Sequence, residues 1–336
     1  MDSLTHLAIG ACMGEVFAGK KLGNKSLLWG ALAQSIPDID FLGSLWLDTP
    51  SSLLAHRGFT HSILFVVLIS LLFASLANHW HRPHNISFKR WLIFFGLVIG
   101  AHIFIDAFNN YGVGWFEPFN HTRISFNAIY VADPFFSIWP ALGLIYILYN
   151  RFAFKKNYRA AVLTLGLSFC YLGYCLLNKS FIDHSVKRSM TSQNIVYKDY
   201  FTTPSPLQSW LWYIVAKVDS GYQVGFRSIF DSDNHVDFEY FPQNDSLLKF
   251  SSEHVEVDKL KLFSKGYYTV ENWGDTLVFN DLRFGQMVGW QDPHQKFVFH
   301  YFLNHKADNT LVVQRGRFKY WDLNVAKNLV VRIFKH

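Results

Sequence analysis

The sequence predicts a helical membrane domain followed by a small β-rich domain. Half of the 336 residues are hydrophobic, 33 are Phe and only 17% are charged, which is more apolar than an ordinary soluble enzyme. The apolar residues are concentrated before residue 180, in blocks of roughly membrane-spanning length, and the remainder is mixed and polar. We therefore expect a domain at 1–180 that holds four long and two short helices, and a β-rich extracytoplasmic domain at 181–336.

The long helices are predicted from four blocks of about 16 to 18 largely uncharged residues each. These blocks are 63–78, 91–108, 135–150 and 160–177. Two earlier blocks, 5–19 and 26–36, are too short to cross a bilayer comfortably and are predicted as short or half-inserted helices. Asp133, directly before Pro134, is expected to cap the third long helix.

The distribution of basic residues predicts the orientation in the membrane. The loops 20–25, 81–90 and 151–159 hold ten Lys or Arg and no acid, whereas 37–61 and 109–134 hold two Arg against five acids. Basic loops remain on the cytoplasmic side. If each block crosses once, the two acidic segments and everything after about residue 178 lie outside the cytoplasm.

Seven ionisable side chains lie in or beside the apolar blocks, all at the predicted extracytoplasmic ends of their helices. They are His6, Asp38, Asp40, His56, His61, His102 and Asp106. His102 and Asp106 are four residues apart, so they share one helical face at a distance of about 6 Å. Imidazole and carboxylate are the groups that bind zinc and similar divalent ions. The pattern predicts a metal site at the outer membrane face.

Each of these residues also has a plain structural interpretation. His102 and Asp106 can satisfy each other in an apolar helix, and His6 can be an ordinary residue at a helix start. The PDID stretch is typical of an acidic turn. Thr60 can cap the following helix, and Arg57 can anchor the chain at the interface. None of these alternatives explains why all seven side chains share one face of the membrane.

The second half of the chain predicts a packed outer domain without chemistry of its own. Strands are expected within 222–230, 276–285, 296–303 and 329–334, after a helix at 205–218. The net charge of +6 is spread along the chain without a long basic run, so a nucleic-acid partner is not expected. The three cysteines lie in apolar blocks and are expected to be small core residues.

Five motifs together resemble a known family. MDSLTH, SIPDID, HRGFTHS, HIFIDAFNNYG and VADPFF, in this order over residues 1–180, resemble the bacterial inner-membrane proteins called membrane-bound metal-dependent hydrolases, of the LexA-regulated YdjM type. The stretch 202–231 is similar to the longer members of that family. The resemblance implies a metal-assisted hydrolase in the inner membrane.

A more distant similarity suggests a mechanism. His6, Asp40, His61, His102 and Asp106 match the order of ligands in zinc-dependent phospholipase C and P1-type nucleases, which cut phosphodiesters, although residues 107–180 lack the further His-x-x-x-Glu pair that those enzymes use. The resemblance implies one or two divalent ions, most simply zinc, with manganese as the alternative. Asp106 would bridge them, with Asp40, His61 and His102 on one ion and His6 and Asp38 on the other.

The remaining roles follow from general chemistry. A bound divalent ion lowers the pKa of its water to near 7 and so supplies a nucleophile. Asp38 or Asp133 is expected to accept the proton, and Arg57 to neutralise a phosphate oxygen. A site at the membrane face predicts a lipid or lipid-like phosphoester substrate. An ion- or proton-coupled transporter and a non-catalytic metal-binding protein remain the alternatives, and the pattern does not determine the oligomeric state.

Overall fold

Helices dominate the first half of the chain. The computed structural model describes residues 1–81, 85–150, 154–250, 254–303, 309 and 321–334; parts of the predicted basic loops 81–90 and 151–159 lie outside these ranges. The helices are α1 Ser3–Leu22, α2 Asn24–Ser35, α3 Thr49–Ala55, α4 Ile63–Trp80, α5 Phe88–Asp106, α6 Pro134–Tyr149 and α7 Phe154–Ser192. By contacts the chain divides into two compact units, residues 1–46 with 55–175 and residues 47–54 with 176–336.

Three helices in the described residues are long and apolar enough to cross a membrane. They are Ile63–Trp80, Phe88–Asp106 and Lys156–Ser192 within α7. The remaining predicted long helix, the third in chain order, is α6, which has 16 residues and is shorter than these three. The first predicted short helix is longer than expected, because α1 spans 20 residues from a cap at Asp2.

The starts of the helices follow local sequence signals. Asp133 caps α6 by accepting from the backbone N–H groups of Phe135 and Phe136, as predicted. Ser62 caps α4 by accepting from Phe65 N–H, so the alternative of a Thr60 cap is wrong. The PDID stretch belongs to a 3-10 helix, Ile36–Leu45, that has proline in its first turn, where the missing N–H is not needed.

Glycines bring α1 and α2 into close contact. A Cβ built on Gly30 would lie 1.9 Å from the carbonyl oxygen of Gly10 and 2.9 Å from the backbone nitrogen of Gly14. Small residues at such crossings let helix backbones approach closely, which is a common arrangement in membrane proteins. This contact places the start of α1 beside the end of α2, where His6 and Asp38 lie.

We expect Gly30→Ala to lower the free energy of unfolding by at least about 2 kcal/mol, because the added methyl group meets backbone atoms that cannot rotate away. Gly100→Ala on α5 is the matched control, since a Cβ there has no neighbour within 4 Å. Denaturant unfolding of the detergent-solubilised chain measures both variants. Equal stability of the two would contradict the close α1–α2 contact.

The second unit is rich in β-sheet, as predicted. One antiparallel sheet contains β1 Asp199–Pro204, β2 Leu211–Lys217, β3 Gly221–Ser228 and β4 Phe238–Pro242 in chain order. The other contains β5 Tyr268–Trp273, β6 Thr276–Gln286 and β7 Phe297–Phe302, also in chain order. The helices α8 His254–Phe263 and α9 Leu323–Phe334, a 3-10 helix at Asp245–Phe250 and the end of α7 also belong to this unit.

Two predicted elements of the second unit are wrong. The helix expected at 205–218 is instead a turn followed by strand β2, whose aromatic and β-branched residues are buried on both faces. The strand expected at 329–334 is part of α9, which buries Val325, Leu329 and Ile333 on one face. Short apolar runs fit either structure, so spacing over a longer window decides between them.

Candidate metal centre

Four segments that are distant in sequence meet at one end of the helical unit. The start of α1 contributes His6, and the 3-10 helix after α2 contributes Asp38 and Asp40. A short 3-10 turn, Phe59–His61, contributes His61 directly before α4. The last turn of α5 contributes His102 and Asp106. The centre is therefore built on helix ends, which packing holds rigidly in place.

Asp38, His61, His102 and Asp106 converge as a group that can hold a metal ion, with one ligand atom from each lying within 4.8 Å of the others. The Nε2 atoms of the two histidines are 3.1 Å apart. Asp38 Oδ1 lies 3.7 Å from His61 Nε2 and 3.5 Å from His102 Nε2. Asp106 Oδ2 lies 3.5 Å and 3.7 Å from the same two nitrogens.

These separations match the size of a tetrahedral zinc site. Ligand atoms about 2.0–2.1 Å from zinc in a tetrahedron are about 3.3 Å from one another. The Oδ2 atom of Asp106 is buried and forms no hydrogen bond of regular geometry among the described residues, although the Arg57 guanidinium lies 3.0 Å away as an ion-pair partner. Two imidazoles and two carboxylates are a donor set that zinc and similar ions accept, so the residues fit a divalent ion.

Hydrogen bonds at the outer ring nitrogens leave both histidines ready to bind a metal. His102 Nδ1 lies 2.5 Å from the carbonyl oxygen of Gln34, which can only accept, so this nitrogen carries the proton. His61 Nδ1 lies 3.1 Å from Thr60 Oγ1 and 3.5 Å from Asp40 Oδ2. In both rings the Nε2 lone pair then points into the centre, which is the usual arrangement of metal-binding histidines.

Asp40 orients His61 and the loop before it. Its carboxylate accepts from the backbone N–H of Arg57 at 2.6 Å and from Thr60 Oγ1 at 3.1 Å. His56 Nδ1 lies 3.1 Å from its other oxygen, and the His56 side chain is 37% exposed. The structure therefore places Asp40 and His56 one layer outside the four converging groups, although the sequence predicted both as ligands.

His6 contacts the other oxygen of Asp106, Oδ1. Its Nε2 lies 3.1 Å from Asp106 Oδ1, its Nδ1 lies 3.3 Å from the Gln34 amide nitrogen, and its ring stacks on His102. The amine of Met1 also donates to Asp106 Oδ1. The two oxygens of Asp106 therefore face different partners, and a bridging role for this carboxylate, with His6 on a second ion, stays a prediction.

Arg57 is buried and holds Asp106 in place. One guanidinium nitrogen lies 3.0 Å from Asp106 Oδ2, and the other donates to Asn109 Oδ1 at 2.8 Å. Arg57 has a φ of 58°, a left-handed conformation that is uncommon outside glycine. This conformation lets its backbone reach Asp40 while its side chain reaches Asp106.

Burial and neighbouring side chains shift the pKa values of His61, Asp38 and Asp40, which lie outside the membrane-spanning segments. Burial lowers the pKa of His61 to about 4, so its ring is neutral at pH 7, as a metal ligand requires. Burial raises the pKa of Asp38, but the hydrogen bond and charge of His102 have the opposite effect, and the pKa lies below its ordinary value. Burial also raises the pKa of Asp40, but His56, His61 and the backbone N–H of Arg57 together lower it below its ordinary value, so both carboxylates are ionised.

Asp133, the alternative proton acceptor, and His121, a histidine of the acidic segment 109–134, lie outside the centre. Asp133 is engaged by its helix cap and by the Tyr171 hydroxyl, 3.0 Å away, and burial raises its pKa to about 6. His121 is exposed and lies 2.8 Å from Glu117. The sequence interpretation missed Gln34, Thr60 and Asn109, which orient the ligands; their signal is that each is a polar residue within or next to one of the five motifs.

Comparisons with known proteins identify a family and two similar proteins. The YdjM inner membrane protein family matches residues 1–182. The Escherichia coli K12 protein "Inner membrane protein YbcI" is 25% identical over 161 residues, which are 47% of this chain and 85% of that protein. The Bacillus subtilis 168 protein "Uncharacterized protein YfhP" is 27% identical over 145 residues, which are 41% of this chain and 43% of that protein. No solved structure matches.

Proposed function

The chain belongs to the YdjM inner membrane protein family, and from this premise we propose that it is a membrane-embedded, metal-dependent hydrolase of phosphoesters. The observation that supports the proposal is the convergence of Asp38, His61, His102 and Asp106 within 4.8 Å, with both histidines oriented by bonds at Nδ1. A bound divalent ion, zinc in this proposal, would polarise the phosphoester and lower the pKa of its water towards neutrality.

We propose that three of the four converging residues are metal ligands and that the fourth is a proton acceptor. His61, His102 and Asp106 have fully buried side chains, whereas the Asp38 side chain is 20% exposed. Three protein ligands and one open position are typical of catalytic zinc sites. We assign the three buried groups to holding the ion, and we assign Asp38, on the open side, to accepting a proton from the attacking water.

Arg57 acts through Asp106 in this proposal. Its guanidinium lies on Asp106 and Asn109 rather than on the open side of the centre, so it positions the carboxylate and balances its charge. Neutralisation of a substrate phosphate by Arg57 would require these contacts to break. That role stays a prediction from the sequence.

The surroundings of the centre favour an amphiphilic substrate. Phe41 follows Asp40 directly and is 65% exposed, and Phe59, in the turn that carries His61, is 43% exposed. Phe119 is 84% exposed and lies in the segment between α5 and α6, whose Arg123 donates to the backbone carbonyl of His56. Large exposed apolar side chains around a polar site are typical of membrane or ligand contact. We propose a lipid or lipid-like phosphoester, met at the outer face of the inner membrane.

The test is hydrolysis of a synthetic phosphodiester and of phosphatidylglycerol by the full chain in detergent, before and after chelation and with zinc or manganese restored. We expect activity that chelation removes and one of the two ions restores. Asp38→Asn should keep the metal and lower kcat by about 100-fold or more, since it loses the proton acceptor. Bound metal without hydrolysis of either substrate would contradict the enzyme and favour a binding protein. No bound metal would favour the ion relay of a transporter.

A further inference from the structure

A groove between α6 and α7 lies on the outer surface of the helical unit, away from the metal centre. It has a volume of about 480 Å³, and its walls include Leu142 and Tyr146 of α6 and Leu163 of α7. These three side chains are 48%, 41% and 63% exposed. The described part of the chain therefore leaves the groove open to whatever surrounds the helices.

The floor of the groove is a close crossing of the two helices. A Cβ on Gly143 would lie 2.3 Å from Thr164 Oγ1 and 3.2 Å from Cys12 Sγ. The missing side chain at Gly143 thus gives the groove its depth, and its apolar lining suits a hydrocarbon chain.

Two basic side chains line the groove. Lys156 and Arg159 line it from the first turns of α7, and the described residues that line it include no carboxylate. They are three residues apart, so they lie on the same helical face. Leu163 lies seven residues after Lys156, which places the apolar part about 10 Å further along the helix.

This groove lies at the opposite end of the unit from the metal centre. The start of α6 is beside the start of α1, where Thr5 Oγ1 donates to Ser137 Oγ at 2.6 Å, next to His6. From there α6 runs along α1 past Cys12, whose thiol contacts Pro140 O. Tyr146 and the first turn of α7 are therefore remote from the four converging groups.

We propose that this groove binds one anionic phospholipid, with the phosphate between Lys156 and Arg159 and an acyl chain along Leu142 and Leu163. Charge complementarity selects an anionic over a zwitterionic headgroup, because basic side chains near a membrane surface attract anionic lipids. The apolar walls select a lipid over a free phosphate. The site is distinct from the proposed hydrolase and does not depend on it.

The test is lipid binding to the full chain in detergent, followed by native mass spectrometry. Phosphatidylglycerol and phosphatidylcholine with the same acyl chains are titrated separately, and inorganic phosphate is added as a competitor. The wild-type chain should bind phosphatidylglycerol about tenfold more tightly than phosphatidylcholine. The double variant Lys156→Gln with Arg159→Gln should lose this preference, because each basic side chain contributes about a factor of five to the affinity for an anionic lipid. Its affinity for phosphatidylglycerol should therefore be about 10- to 30-fold weaker than that of the wild-type chain.

Two further variants make the result decisive. Lys20→Gln with Lys25→Gln removes two exposed cations from the α1–α2 connection at the same end of the unit and should leave the preference unchanged. Leu163→Trp fills the groove from an exposed position and should weaken both lipids. Any one of four results would overturn the proposal. The control variant could lose the lipid preference as much as the Lys156 and Arg159 variant, or the wild-type chain could bind the two lipids equally. Inorganic phosphate could displace phosphatidylglycerol completely, or Leu163→Trp could bind both lipids as the wild-type chain does.

Discussion

Asp106→Asn is expected to abolish metal binding, with an affinity at least about 100-fold below that of the wild-type chain, because Asp106 faces both proposed histidine ligands and is the one converging carboxylate that is fully buried. The measurement is metal content by elemental analysis after equilibration with zinc. Glu15→Gln is the matched control, since Glu15 is also a buried carboxylate of the helical unit but lies outside the converging group, and it should keep the metal.

The effect of Asp106→Asn on folding stability must be separated from its effect on metal binding. Asp106→Asn leaves the buried guanidinium of Arg57 without its carboxylate, which lies 3.0 Å away, and breaking a buried ion pair in this way costs about 3–5 kcal/mol. The double variant Asp106→Asn with Arg57→Met removes both charges and should recover much of this stability without recovering the metal. Metal retained by either variant would contradict the assignment of Asp106.

His61→Ala and His56→Ala should differ sharply, although both histidines belong to the HRGFTHS motif. His61 Nε2 lies 3.1 Å from His102 Nε2, inside the converging group, whereas the ring nitrogen of the partly exposed His56 lies 3.1 Å from the outer carboxylate Asp40. We expect His61→Ala to lose bound metal and any metal-dependent hydrolysis.

His56→Ala should keep the metal, with an affinity weakened by no more than about 10- to 100-fold, the range typical of residues that orient a ligand. Elemental analysis and isothermal titration with zinc on the two purified variants measure the difference. Equal loss in both variants would mean that His56 is a ligand itself and that the centre is larger than the four converging groups.

Much of the helical unit can be predicted from local signals. Apolar blocks identify α4 and α5, because a helix that crosses a bilayer must be apolar over about 20 residues. The cap at Asp133 follows from a carboxylate directly before a proline. The second half is harder to predict from local signals. The runs at 205–218 and 329–334 are short and apolar enough to fit a helix or a strand, and packing against neighbouring elements decided between the two.

The sequence by itself determined the chemistry available at the centre: histidines and aspartates at the ends of apolar helices, with His102 and Asp106 on one helical face. Only the tertiary structure decided their arrangement. The α1–α2 contact at Gly10 and Gly30 and the backbone conformation of Arg57 bring remote segments together. Asp38 and His61 face the centre, whereas Asp40 contacts His61 from outside it and His56 contacts Asp40. Distances between such segments depend on packing, which no local pattern encodes.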